Sequence, residues 1–157
     1  MINNVSNSSV KYIGISSPYK FSTKNFKLFN LSHLVTLNLE NSYIENIIQI
    51  QSNINILNYK IIKTPIGTSY DGCIFTGNKL FFTGIINTTI QYVLNSNLNN
   101  IYFYNTKIFF VESINLCDYS PYTSKITLSS NIIDVCSNKL NDSNIYLTFN
   151  LYVEANF

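Results

Sequence analysis

The chain has 157 residues and a formal net charge of +2, with 46% hydrophobic, 15% aromatic and only 11% charged residues. That length suits one domain with a real core rather than two, and the composition excludes a disordered chain, which needs low hydrophobicity or high net charge. All ten basic residues are scattered lysines, so nucleic-acid binding, which leans on clustered arginine, is not expected, and no apolar run approaches the ~20 residues of a membrane helix.

Residues 1–9 are small, polar and rich in Asn and Ser, the composition of a flexible N-terminal connector. They carry neither a basic start nor an apolar signal core, so synthesis without a signal peptide is expected. Residues 10–157 read as a single β domain. Its first segment carries Val10, Tyr12, Ile13 and Ile15. These residues form a candidate donor strand, one that adds to the sheet edge of a neighbouring copy.

Residues 26–31 give a short strand, and residues 33–40 fit strand alternation or a short buried segment equally well. After the break at Asn41-Ser42, residues 43–62 make the longest pattern in the chain. Ile48, Ile50, Ile54 and Ile56 share one face, and Gln49, Gln51, Asn53 and Asn55 the other. The alternation slips phase near Leu57 to Tyr59, which predicts a bulge. Thr64-Pro65-Ile66-Gly67 is expected to break the strand, and Asp71-Gly72 and Thr76-Gly77-Asn78 are further turn signals. Sheet pattern resumes at Leu80 and puts Ile86, Thr88, Ile90, Tyr92 and Leu94 on one face.

Residues 95–100 read as a polar hairpin loop and residues 101–114 as a strand with Tyr102, Tyr104, Ile108 and Phe110 on one side. A loop around Pro121 leads to strands at 126–137 and 145–155, the last with Ile145, Leu147, Phe149, Leu151 and Val153 facing inward. Ala155 is the only alanine and helix formers are scarce. The expected fold is all-β, an antiparallel β-sandwich of jelly-roll or Greek-key type with little or no helix.

The middle of the chain also resembles a known family. Thr64-Pro65-Ile66-Gly67-Thr68-Ser69-Tyr70-Asp71-Gly72, then Thr76-Gly77-Asn78-Lys79-Leu80, then Ile90-Gln91-Tyr92-Val93 are similar to the signature of the SPOCS domain. That family occurs in spore coat and spore morphogenetic proteins of clostridia and related spore formers, including SipL-like proteins. Asp71 stands where the family more often has Glu. Ile133, Asp134 and Val135 resemble its closing segment, so the likeness runs over most of residues 26–155. The Lys-Pro that precedes the long strand in the family is replaced by Asn41-Ser42, and the proline expected near Phe109-Phe110 is absent. The resemblance implies a spore-surface protein with Thr64, Pro65, Gly67, Gly72 and Gly77 as its signature turn.

Residues suited to chemistry are few. His33 has no acid or cysteine beside it in sequence, and a general base needs a second group to orient it. The eight carboxylates are spread singly, without the clustering of a calcium loop. No metal, cofactor or catalytic residue is expected, and the chain does not read as an enzyme. Cys73, Cys117 and Cys136 lack metal-ligand spacing. Their odd number leaves at least one free or bonded to another chain. Three reduced cysteines are the plain reading, and inter-subunit disulfides at these positions the sharper one.

Twelve tyrosines and eleven phenylalanines exceed what one interior needs, and tyrosine is favoured at interfaces. A surface of neutral amides and hydroxyls repels its copies only weakly. The expectation is therefore a structural, self-assembling subunit of a spore coat, exosporium or appendage filament, with its own copies and other coat proteins as partners. A monomeric adapter that anchors other coat proteins is the alternative.

Overall fold

Isoleucine, tyrosine and phenylalanine spaced two apart favour strands, because such side chains pack well on one face of a pleated backbone. In the computed structural model, residues 9–16, 25–68, 70, 74–117 and 125–157 are described, and they form two packed sheets. One sheet has the order β1-β3-β4-β5, from β1 (Lys11–Ile13), β3 (Ile44–Thr68), β4 (Ile74–Leu94) and β5 (Asn97–Asn115). The other has the order β2-β7-β6, from β2 (Phe26–Thr36), β7 (Asn144–Asn156) and β6 (Thr127–Lys139). All neighbours are antiparallel except β1, which runs parallel to β3. No described residue is helical. The fold is the expected all-β sandwich.

The core lies between the sheets. Ile50, Leu80, Phe82, Ile86, Ile90 and Ile114 face Ile132, Val135, Ile145, Leu147, Phe149 and Leu151, all essentially buried. Each such side chain contributes about 1.5–3 kcal/mol of burial free energy. A trio of rings fixes one region of this core. Phe110 lies 5.4 Å from Phe29 and 6.3 Å from Phe82, the latter edge to face.

Several boundaries differ from the sequence reading. Residues 26–36 make one strand, because β7 offers a partner along the whole length. A register shift between Ile47 and Gln49 turns Ile48 outward and buries Ile47 in its place. The bulge expected near residue 57 is present, between Ile56 and Asn58. Thr64-Pro65 does not end β3. A further bulge between Lys63 and Ile66 absorbs the proline, which has no N–H for the ladder, and the strand continues to Thr68. Thr76, Gly77 and Asn78 likewise lie inside β4. The β4–β5 turn is tight, with Leu94 already opposite Asn97.

The sandwich has two distinct ends. At one, short connections cross between the sheets: the Leu37 and Ile44 N–H groups donate to the carbonyls of Ser143 and Asp142, each at 2.9 Å. At the other, Asn25 joins the sheets, its carbonyl accepting from Ala155 N–H at 2.8 Å and its Oδ1 from Cys117 N–H at 2.6 Å.

Candidate assembly surfaces

The segment read as a donor strand is a strand, and it lies at the seam between the two sheets. Lys11, Tyr12 and Ile13 pair with Gln49, Ile50 and Gln51 of β3 in the same chain. Gly14 then turns with φ +96, where a Cβ would sit 1.8 Å from the Ser52 carbonyl oxygen. Only glycine fits there. Ile15 bridges across to Ile132 of β6, and the Ser16 N–H donates to the Ile132 carbonyl at 2.9 Å. Tyr12 reaches the same strand, its hydroxyl accepting from Ser137 N–H at 3.1 Å and lying 2.8 Å from Ser137 Oγ. Val10 and Tyr12 pack on the core, whereas Ile15 is exposed. The segment thus closes one side of the sandwich by stitching β3 to β6.

A second surface arises because β3 and β4 outrun the rest of the sheet. Pairing of β4 with β5 begins at Lys79 and Asn115, but β3 and β4 stay paired as far as Thr68 and Ile74. Residues 63–68 and 74–78 are therefore a two-stranded arm projecting past the sandwich. Its base is anchored: the Thr76 hydroxyl donates to the Leu116 carbonyl, Leu116 N–H donates to the Asn78 carbonyl at 3.0 Å, and Leu80 is fully buried. Gly77, with φ +95, passes beneath Ile66, whose Cγ1 would lie 3.1 Å from any added Cβ. Further out the constraints lapse. Ile66 is 84% exposed, Tyr70 is fully exposed, and a Cβ on Gly67 would meet nothing.

The third surface is the side formed by β5 and β2. Among the described residues, no strand pairs with the outer edge of either. On β5 the outward residues Ile101, Phe103, Phe109 and Val111 are each at least half exposed. Between them the outer face carries polar cross-strand rows, Asn53-Asn87-Lys107 and Gln51-Thr89-Asn105, the second tied by a 2.7 Å bond from Thr89 Oγ1 to Asn105 Oδ1. A long edge with unpaired backbone groups and apolar outward side chains is a template for another chain.

A family profile described as SipL, SPOCS domain matches residues 43–140. That span is well over half of the chain. The chain belongs to the SPOCS domain family. No curated protein and no solved structure matches. The matched span holds β3 to β6, so the projecting arm and the β5 edge both lie within it. β1, β2 and β7 lie outside it, including the last strand, where the sequence likeness had also been read. Membership marks this as a sporulation-related protein.

The SPOCS signature residues divide by role. Thr64, Pro65, Gly67 and Gly77 lie on the arm, while Gly72 falls outside the described residues. They build a bulged ribbon rather than the single turn that their glycines and proline suggested. Of the cysteines, Cys73 is outside the described residues, Cys117 is a half-buried free thiol, and Cys136 is an exposed free thiol. Cys136 Sγ lies 3.9 Å from Asp134 Oδ2 on the outer face of β6. His33 sits between the sheets with Nε2 3.5 Å from Thr106 Oγ1. Among the described residues, no group of three His, Cys, Asp or Glu side chains is arranged to hold a metal ion. No described helix is long and apolar enough to cross a membrane.

The two ends also differ in charge, which the sequence did not make visible. Lys60, Lys63 and Lys79 stand on the arm and its base. Glu40, Glu45 and Asp142 are exposed at the opposite end, beside Lys139, whose ammonium contacts the Ile44 carbonyl and lies 5.4 Å from the centre of the Tyr43 ring.

Proposed function

We propose that this SPOCS chain is a structural building block of a spore surface layer, coat, exosporium or filament, which polymerises through strand edges and aromatic contacts. The observation that carries the reading is the β5 edge, nineteen residues long, with Ile101, Phe103, Phe109 and Val111 turned to solvent. Soluble monomers blunt such an edge with charge, proline or a covering segment. β5 has only Lys107 and Glu112 as charged residues and no proline. The proposed work is mechanical rather than catalytic, and its partners are copies of the chain and other coat proteins.

Size-exclusion chromatography and negative-stain microscopy of the purified full chain test this reading. Ordered layers or filaments are expected as concentration rises. A monodisperse monomer at high concentration would count against it and favour the second reading, a monomeric adapter that anchors other coat proteins. One observation supports that alternative: the segment from Val10 to Ile15 is seated on its own chain's β3 and β6, so one pair of edges is already occupied. Non-reducing gels of assembled material add a separate check. Cross-linked species are expected if Cys136, exposed on β6, meets a thiol of a neighbour.

A further inference from the structure

We propose that the arm of one copy docks on the opposite end of the next, a head-to-tail contact that builds a linear chain; this rests on the self-assembly reading above. The argument begins with charge. Lys60 and Lys63 are exposed on β3, Lys79 is half-exposed on β4, and exposed Lys125 lies at the same end, just before β6. Among the described residues, Lys27 and Glu112 form the sole ion pair, at 3.8 Å, and Glu154 at the same end accepts from Ser129 and Tyr152 instead, so no described carboxylate is paired with the arm lysines. The far end carries three exposed carboxylates, Glu40, Glu45 and Asp142, against Lys139. Lys11, Lys107 and Asp134 lie along the flanks between the two ends. β3 and β4 both run between the poles, and along β3 Glu45 and Lys63 are separated by roughly 60 Å at strand rise. Charges that far apart are screened from one another within one molecule, but they meet when copies align end to end.

Apolar surface matches the charge. The arm offers Ile66 to solvent and its base Ile62, and the acidic end offers Tyr43, Leu98 and Leu140. A hollow there is lined by Val10, Glu45, Asn46, Ile47, Ser137 and Lys139. A two-stranded ribbon is marginal alone in water, so burial against a neighbour would order the arm as well as cover Ile66. Arm and receiving end are different patches, so the contact is heterologous. It repeats without closing.

The test uses charge reversal in the full chain. Lys60→Glu/Lys63→Glu and Glu40→Lys/Glu45→Lys are each expected to lose end-to-end assembly, with the threshold concentration raised at least roughly tenfold, because like charges then face each other. An equimolar mixture of the two variants is expected to regain linear assembly, with the copies alternating. Circular dichroism and thermal midpoints matching the parent exclude misfolding, since all four positions are exposed. Filaments indifferent to both reversals would overturn the head-to-tail contact while leaving self-assembly standing. A closed dimer in the micrographs would overturn it too. A parent chain that stays monomeric at every concentration would overturn both.

Discussion

Single residues fix how this sandwich packs, and three sites give measurable consequences. Ser52 and Thr88 are buried opposite one another on β3 and β4, their hydroxyls 3.0 Å apart. Each satisfies the other in an apolar core, so Ser52→Ala is expected to cost about 1–2 kcal/mol by stranding the Thr88 hydroxyl. Ser52→Ala/Thr88→Val should cost less than the two single changes added together, which chemical denaturation would read as a coupling energy. Gly84 serves by its emptiness. The Phe110 ring lies over it, and an added Cβ would fall 2.2 Å from Phe110 Cζ. Gly84→Ala is expected to destabilise by about 1–3 kcal/mol through overpacking, seen as a lower thermal midpoint. Tyr92 stacks on Tyr102 at 5.8 Å, and burial, followed by the nearby Tyr102 and Tyr104 phenols, raises its pKa above the ordinary tyrosine value. The folded state therefore holds that proton more tightly than the unfolded chain. Stability from this site is complete below the unfolded pKa, near 10, and is lost as pH rises beyond it. Denaturant midpoints measured on the alkaline side should fall more steeply in the parent than in Tyr92→Phe.

At the scale of elements, the N-terminal segment and the arm behave differently from the strands they join. β1 is three residues long and is held by Gly14 at the one place where the chain can pass Ser52. Gly14→Ala is expected to release the segment without unfolding the sandwich. Limited trypsin cleavage after Lys11 should then speed up by about tenfold or more, since local opening controls access. For the arm, amides of residues 63–68 should exchange with solvent far faster than those of Ile86 and Thr88, and slow on assembly. These elements also mark how far sequence reasoning reached. β7 was legible because it is the middle strand of its sheet: Ile145, Leu147, Phe149, Leu151 and Val153 all face one core, and burial imposes strict alternation. The arm was not legible, because Pro65, Gly67 and Gly77 punctuate a bulged ribbon with the same residues that punctuate turns. Ile48 was assigned inward for a related reason, since a bulge changes parity without changing composition. Intrachain seating of β1 depends on a tertiary contact with Ser52 that no local pattern encodes.

For the molecule as a whole, two kinds of surface predict opposite responses to salt. Contact between the lysine-bearing arm and the acidic end should weaken as ionic strength rises, because exposed charges are screened. Lateral contact through Phe103, Phe109 and Val111 should persist, and strengthen in sulfate. Turbidity and micrographs over a salt series would separate them: sheets or bundles without long threads at high salt, single threads at low salt. Phe103→Lys/Phe109→Lys, both on an exposed face, should leave the thermal midpoint nearly unchanged and abolish the bundles. The strand order carries one more consequence, for the timing of synthesis. β7 lies between β2 and β6, so β2, translated early, has no partner in its own chain until the final strand emerges. The hairpins of β3, β4 and β5 can zip locally on the ribosome, but half the sandwich must wait. Until β7 is made, the inward apolar side chains of β3, β4 and β5 have no completed second sheet to cover them.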